Sequence, residues 1–397
     1  MLGVWMWTQN VQKFGASRVV DYCERAGVTD LYVLTKGLAG TIAFQSVFAP
    51  MVCERDLLRE ITETAHKRGL RVHAWFTSAS DQNYKELYPQ SGRCHLVRGR
   101  DRGLISLADE SYLAYMEKII QEVCRNYDID GLHLDYIRYN HLLYGWAEED
   151  LKRYAANGAD PEYLKRLVQR SFWNEPKEET LVYDACRNGD ESVLALVRTR
   201  RQDVVGFAGR LTDVARAEKN DLILSAALMP EGAYEDTTFS DLHYGQNYED
   251  AAVIFDYALP MAYSAAYEKD ARWVRQVALG AIKRGLKTIM GLHAFDGGTG
   301  VTLREDLAAI ENLPLHGVCL FREGATAFAY ADGKHINICN TLDETVTRVQ
   351  FIGEDERMEV TAGIDSGEEK QFILPFEVET MRIFSGEEER CIYLARN

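Results

Sequence analysis

The run Asp130-Gly-Leu-His-Leu-Asp135 sets a histidine and a carboxylate at alternate positions of an otherwise apolar segment. Alternate side chains of a strand share a face, so Gly131, His133 and Asp135 have one parity. In a parallel barrel that parity faces the interior, which Val, Ile and Leu ordinarily fill, so a polar pair there is informative. A carboxylate ending such a strand sits where barrel enzymes keep their reacting groups. It can serve as nucleophile, as general acid or base, or as the stabiliser of an oxocarbenium ion. The plainer alternative is an ion pair between Asp135 and Arg138. Asp130, ahead of the strand, reads as the turn chemistry of an Asp-Gly pair.

Other strand ends add candidates for a cleft. Trp7 and Trp75 offer flat apolar faces to sugar C–H groups, against core packing as the alternative. Lys36 ends a second strand and could bond hydroxyls, and His73 shares the parity of Trp75. Tyr136 and Arg138 lie one and three residues after Asp135, while Tyr263, His293 with Asp296, and Arg322 end three later strands. Arg322 is suited to clamp an acidic substituent in a bidentate fashion, or to pair with Asp135.

These positions need a scaffold that brings distant strand ends together. Short apolar strands alternate with helix-period segments such as Arg55–Arg68 and Tyr112–Asn126. The expected strands are Val4–Thr8, Leu31–Thr35, Arg71–Thr77, Gly131–Tyr136, Leu222–Leu228, Val253–Tyr263, Thr288–His293 and Gly317–Phe321. Eight such units in one run predict an α/β fold, a (β/α)8 TIM barrel over residues 1–332. An open doubly wound sheet is disfavoured, because no Gly-x-Gly-x-x-Gly follows the first strand. The charged, Tyr/Trp-rich stretch near 140–190 reads as a helical insertion in a βα loop, either tolerated or forming a wall of the cleft. Residues 333–397 alternate polar and apolar between turn signals such as Asp332-Gly333 and Ser385-Gly386, which predicts a small C-terminal antiparallel β-sandwich.

The segment Tyr127-Asp-Ile-Asp-Gly-Leu-His-Leu-Asp-Tyr-Ile-Arg-Tyr139 resembles the signature of the bacterial glycosyl-hydrolase-like ten family, distant relatives of the alpha-amylase and chitinase barrels. Gly69-Leu-Arg-Val-His-Ala-Trp-Phe76 resembles its third strand, and Tyr244-Gly-Gln-Asn247 with Asp256-Tyr-Ala-Leu-Pro-Met-Ala-Tyr263 its sixth. The resemblance implies a glycoside hydrolase acting on a bacterial or plant-type oligo- or polysaccharide with two carboxyl groups and no cofactor or metal. The chitinase acid is missing, since Ile137 stands at its position. The amylase pattern Arg-x-Asp fits in spacing with His133 in place of Arg, which makes Asp135 the nucleophile or stabiliser. Amylases carry their acid after strand five, and the corresponding residue is Glu231, with Asp296 and Glu323 as alternatives. Two rival readings remain: a metal-dependent barrel hydrolase using His133, Asp135, His293 and Asp296, and a glycan-binding protein without catalysis. The first lacks the usual His-x-His on strand one, where Trp5-Met-Trp7 stands.

Bulk properties narrow the partners. A net charge of −16 over 397 residues disfavours nucleic acid and anionic membrane surfaces, and leaves a carbohydrate partner open. The charge says nothing of oligomeric state. The eight cysteines include no C-x-x-C pair, several lie in apolar runs, and a reducing, cytoplasmic setting is expected. The opening Gly3-Val-Trp-Met-Trp7 lacks a basic flank and reads as a strand rather than a leader, although a trimmed leader would leave the same pattern.

Overall fold

The computed structural model describes residues 1–293 and 298–396. Eight parallel strands form one sheet: Leu2–Met6, Asp30–Lys36, Arg71–Thr77, Gly131–Asp135, Ile223–Leu228, Tyr257–Pro260, Ile289–His293 and Gly317–Phe321. They pair in sequence order, and the eighth returns to pair with the first. Parallel bridges Ala258–Thr288 and Met261–Gly291 join the sixth to the seventh and close the ring. The expected TIM barrel is thus the observed fold.

Aspartates start many of the outer helices. Asp56, Asp109, Asp190 and Asp270 each accept a hydrogen bond from a backbone N–H in the first turn of the helix that follows. Such caps satisfy donors that have no partner within the helix. One expected strand is corrected. Residues 253–263 begin inside a helix, Tyr248–Ile254, capped by Asn247, and only Tyr257–Pro260 is strand. The apolar Val253-Ile254 pair has no period of its own, and Val253 faces solvent.

Two elaborations stand on the C-terminal side of the barrel. The loop after strand three carries a short helix, Gln82–Leu87, and a hairpin, Gly92–His95 with Gly99–Ile105, neither of which was legible beforehand. The loop after strand four carries helices Glu148–Ala156, Pro161–Phe172 and Thr180–Arg187 before the long helix Glu191–Glu218. These helices bury their own cluster, including Leu142, Trp146, Tyr154, Leu164, Val168 and Leu196. The insertion is therefore a packed unit with a separate small core.

The tail is a seven-stranded sheet folded over an apolar core that includes Ile336, Val349, Phe351 and Ile383. Its first strand is Thr326–Asp332, ahead of the expected start at 333, and turns at Gly333 and Gly386 take positive φ as the sequence suggested. One pairing departs from the antiparallel expectation, because Thr326–Asp332 runs parallel to Glu388–Arg396. Phe328, Tyr330 and Cys339 of the tail join the barrel's helical core. All eight cysteines are free thiols. Among the described residues, no helix is long and apolar enough to cross a membrane.

Candidate active site

The barrel interior is layered. At the bottom, His73 stacks on Tyr32 with ring centroids 4.4 Å apart and bonds Asp30 through Nε2 at 2.9 Å. A Cβ on Gly131 would stand 2.1 Å from His73 Nδ1, so glycine there makes room for this ring. In the middle, Trp5 Nε1 donates to His133 Nε2 (3.1 Å), and His133 Nδ1 therefore carries the proton that reaches Ser225 Oγ (2.9 Å). Complete burial pushes His133 well below the usual imidazole range, so the ring is neutral.

Above this layer opens a cavity of about 520 Å³ at the strands' C-terminal ends. Its aromatic wall includes Trp5, Trp7, Trp75, Tyr136, Tyr263 and Phe321, and Leu34, Leu38, Met229 and Met261 add apolar surface. Asp135 and Arg138 are the charged residues among the described ones that line it. Asp135 Oδ1 accepts from the Tyr136 backbone N–H (2.6 Å) and from Arg138 Nη1 (3.0 Å). Among the described residues no donor reaches its Oδ2. Tyr136 holds φ of 58°, a conformation that is strained for a bulky side chain. Such strain concentrates at functional positions, where the surrounding structure holds it in place. Here it bends the chain sharply after strand four, so that one N–H folds back onto the carboxylate.

Glu231 follows strand five on a short 3-10 turn, Pro230–Ala233. It is buried but does not line the cavity. Tyr244 and Tyr267 each donate a phenolic hydrogen bond to its Oε1 at 3.3 Å, and Tyr267 is itself part of the cavity wall. Its Oε2 is buried and has no hydrogen-bond partner among the described residues. Burial raises its pKa, opposed by its own backbone N–H, the two phenols and the charge of Arg138. The group is therefore biased toward holding a proton, as a general acid must be.

Of the residues expected from the sequence, Trp7, Trp75, Asp135, Tyr136, Arg138 and Tyr263 line the cavity. Lys36, His73 and His133 do not, which corrects the expectation that they would. A bulge in strand two sets Leu34 opposite Trp75 and Lys36 opposite Phe76, which reverses the parity of Lys36. Lys36 is fully buried outside the cavity, paired with Asp81 at 3.1 Å and donating to Ser80 O at 2.8 Å. His73 lies in the bottom layer and His133 in the middle one. His293 is buried behind Tyr263, ring on ring at 4.5 Å. Arg322 stacks over Trp7 at 3.6 Å and donates to the Glu323 carbonyl, so the cation on Asp135 is Arg138 instead. Asp296 lies outside the described residues. Glu323 is buried where barrel meets tail, bonded by Asn10 (2.7 Å) and Tyr22, and is not in the cavity. With both ring nitrogens of His133 engaged, the metal-site reading loses one of its four ligands. Among the described residues, no three His, Cys, Asp or Glu side chains are placed to hold a metal ion.

Trp5 and Phe321 were not singled out from the sequence, although Trp5 shares the parity of Trp7; Phe321 has the parity opposite to Arg322, the residue expected from its strand. Tyr267 and Met229 lie beyond strand ends, where periodicity gives no signal.

Comparison with solved structures finds the same fold in glycosidase barrels. The glycoside hydrolase domain of PgaB (BpsB) from Bordetella bronchiseptica superposes with a TM-score of 0.66 at 15% identity, covering 81% of this chain and 93% of that one. The beta-amylase catalytic domain from Paenibacillus polymyxa gives 0.58 at 10% identity, covering 81% and 92%. The beta-galactosidase from Marinomonas ef1 gives 0.60 at 15% identity, covering 81% of this chain and 54% of its own. At such identities the likeness is one of fold. No curated protein sequence matches the chain. The model of the glycosyl hydrolase-like 10 family matches residues 51–284, which hold strands three to six, Asp135 and Glu231, and the chain belongs to that family.

Proposed function

We propose that the protein hydrolyses a glycosidic bond of an oligo- or polysaccharide in the cavity at the barrel mouth, with Asp135 and Glu231 as its two carboxyl groups. The observation that carries the reading is Asp135 itself. It is a carboxylate with one free oxygen, held by a strained backbone turn at the floor of an aromatic-walled cavity. Its charge is matched by Arg138, so the cavity suits neutral sugar units that stack on Trp7, Trp75 and Tyr263. Asp135 acts on the anomeric carbon, as nucleophile or as stabiliser of the positive charge that develops there. Glu231 supplies the proton for the leaving oxygen. Tyr267 touches both Glu231 and the cavity; with Glu231 protonated the bond between them reverses, the carboxyl donates to the phenol oxygen, and its proton passes to that oxygen as the phenol proton passes to the leaving group. When water completes the reaction, the same path returns a proton to Glu231.

The test is a screen for reducing-end release from bacterial and plant oligosaccharides, followed by Glu231→Gln on the best substrate. A leaving group that needs no protonation bypasses the acid. Glu231→Gln should therefore slow the natural glycan by about 10²-fold or more and an activated aryl glycoside far less. Equal loss on both substrates removes Glu231 from the acid role. Absence of turnover across the screen contradicts the hydrolase reading.

A further inference from the structure

A second cavity of about 550 Å³ lies between the hairpin after strand three and the helical insertion after strand four. Two histidines face into it in a fixed tautomer. His95 Nδ1 accepts from the backbone N–H groups of Val97 and Arg98, both at 3.1 Å. His141 Nδ1 accepts from Leu143 N–H, also at 3.1 Å. A ring nitrogen that accepts an N–H carries no proton, so each neutral ring bears its hydrogen on Nε2. Among the described residues, no acceptor takes either Nε2–H. Burial holds both rings below the usual imidazole range, His141 at about 4, so they stay neutral donors at physiological pH.

The remaining lining is aromatic and charge-balanced. Trp173 meets the His95 ring edge-on at 5.4 Å, and Tyr144 and Phe172 complete the wall. Its charged lining residues are two of each sign, Arg98 and Lys177 with Glu175 and Glu179, and the Arg98 guanidinium lies over the Trp173 ring at 5.1 Å. Neutral donors beside apolar ring faces suit a ligand with many oxygen acceptors and exposed C–H groups, which describes a neutral saccharide.

The two cavities share one loop. Tyr136 and Arg138 line the first, and His141, Leu143 and Tyr144 line the second. The three residues from Arg138 to His141 span at most about 11 Å. Arg93 fixes that span by donating to Arg138 O (2.9 Å) and Asn140 Oδ1 (2.6 Å), and a backbone bridge joins His95 to Tyr144. We propose that the second cavity is a distal subsite that holds a neutral, non-reacting sugar unit of the same chain whose scissile bond occupies the first. This rests on the hydrolase reading of the first cavity.

The test uses the full chain carrying Asp135→Asn, titrated calorimetrically with maltohexaose, cellohexaose and N-acetylchitohexaose and with the matching disaccharides. One hexasaccharide should bind more tightly than its disaccharide, and Trp173→Ala should weaken the hexasaccharide about tenfold or more while leaving the disaccharide unchanged. Trp173→Phe, which keeps a ring, should retain most of the affinity. His141→Asn keeps an acceptor for Leu143 N–H and removes the Nε2 donor together with the ring's contacts to Phe172 and His243, so, in a variant shown to be folded, it reports on the site even if Trp173→Ala does not fold. It should weaken the hexasaccharide about fivefold. Unchanged hexasaccharide affinity in His141→Asn and in folded Trp173→Ala overturns the proposal, as does failure of every hexasaccharide to bind. If the wild-type protein cleaves none of these glycans yet Trp173-dependent binding persists, the saccharide site stands and the hydrolase reading alone fails.

Discussion

Glu323→Gln should flatten the dependence of stability on pH. Glu323 follows the eighth barrel strand, is fully buried, and accepts hydrogen bonds from Asn10 and Tyr22. Burial pushes its pKa up from 4.5 to about 7, against the opposing pull of those two donors and of Arg322. The folded chain thus holds this proton more tightly than the unfolded chain does. The group's contribution is complete below about pH 4.5 and is lost as pH rises through about 7. Integrated from pH 5 to pH 8, that loss is about 2.5 kcal/mol. Glutamine keeps the shape and the accepting oxygen and cannot ionise. Urea unfolding of both proteins at pH 5 and pH 8, followed by tryptophan fluorescence, isolates the effect, because every other group titrates alike in the two. The variant should gain about 2.5 kcal/mol on the wild type across that interval. A difference that stays constant to within about 0.5 kcal/mol would refute the reasoning, since Glu323 would then ionise alike in both states.

Two further outcomes follow from the site. Tyr244→Phe removes one of the phenols that stabilise the Glu231 carboxylate, so the acid's pKa should rise further and the alkaline limb of kcat/KM should move up; a downward move contradicts the assignment. Lys36→Met leaves Asp81 buried without its cation, which should cost about 3–5 kcal/mol in urea unfolding while leaving KM for the best glycan unchanged; a raised KM in a stable variant would return Lys36 to the cleft.

The barrel was readable because its evidence is periodic. Each strand is a short apolar run between helices that repeat every three to four residues, and Asp135 stood out because strand parity marks it as an inward carboxylate. Depth along a strand was harder to read. His73 and Trp75 share parity, yet two residues of strand lower the histidine by about 6.6 Å, from the cavity wall to the barrel floor. Lys36 was lost to a bulge, a single extra residue that leaves no mark in composition. Glu231 could be named only from the habit of related barrels. The phenols that tie it to the cavity arrive from separate loops, as Tyr244 and Tyr267, and no local pattern connects them to it. The hairpin that carries His95 went unread because its first strand, Gly92–His95, is short and its second, Gly99–Ile105, is charged rather than apolar.

The most direct test of the account is turnover by Asp135→Asn on the best glycan of the screen, measured beside its unfolding free energy. The substitution removes the charge, keeps the shape, and leaves Arg138 and the Tyr136 N–H an oxygen to bond. The account predicts a fall in kcat/KM of about 10³-fold or more, with glycan binding retained and stability within about 1 kcal/mol of the wild type. Turnover within about tenfold of the wild type, or a loss of activity that tracks unfolding, would contradict the claim that Asp135 carries the chemistry.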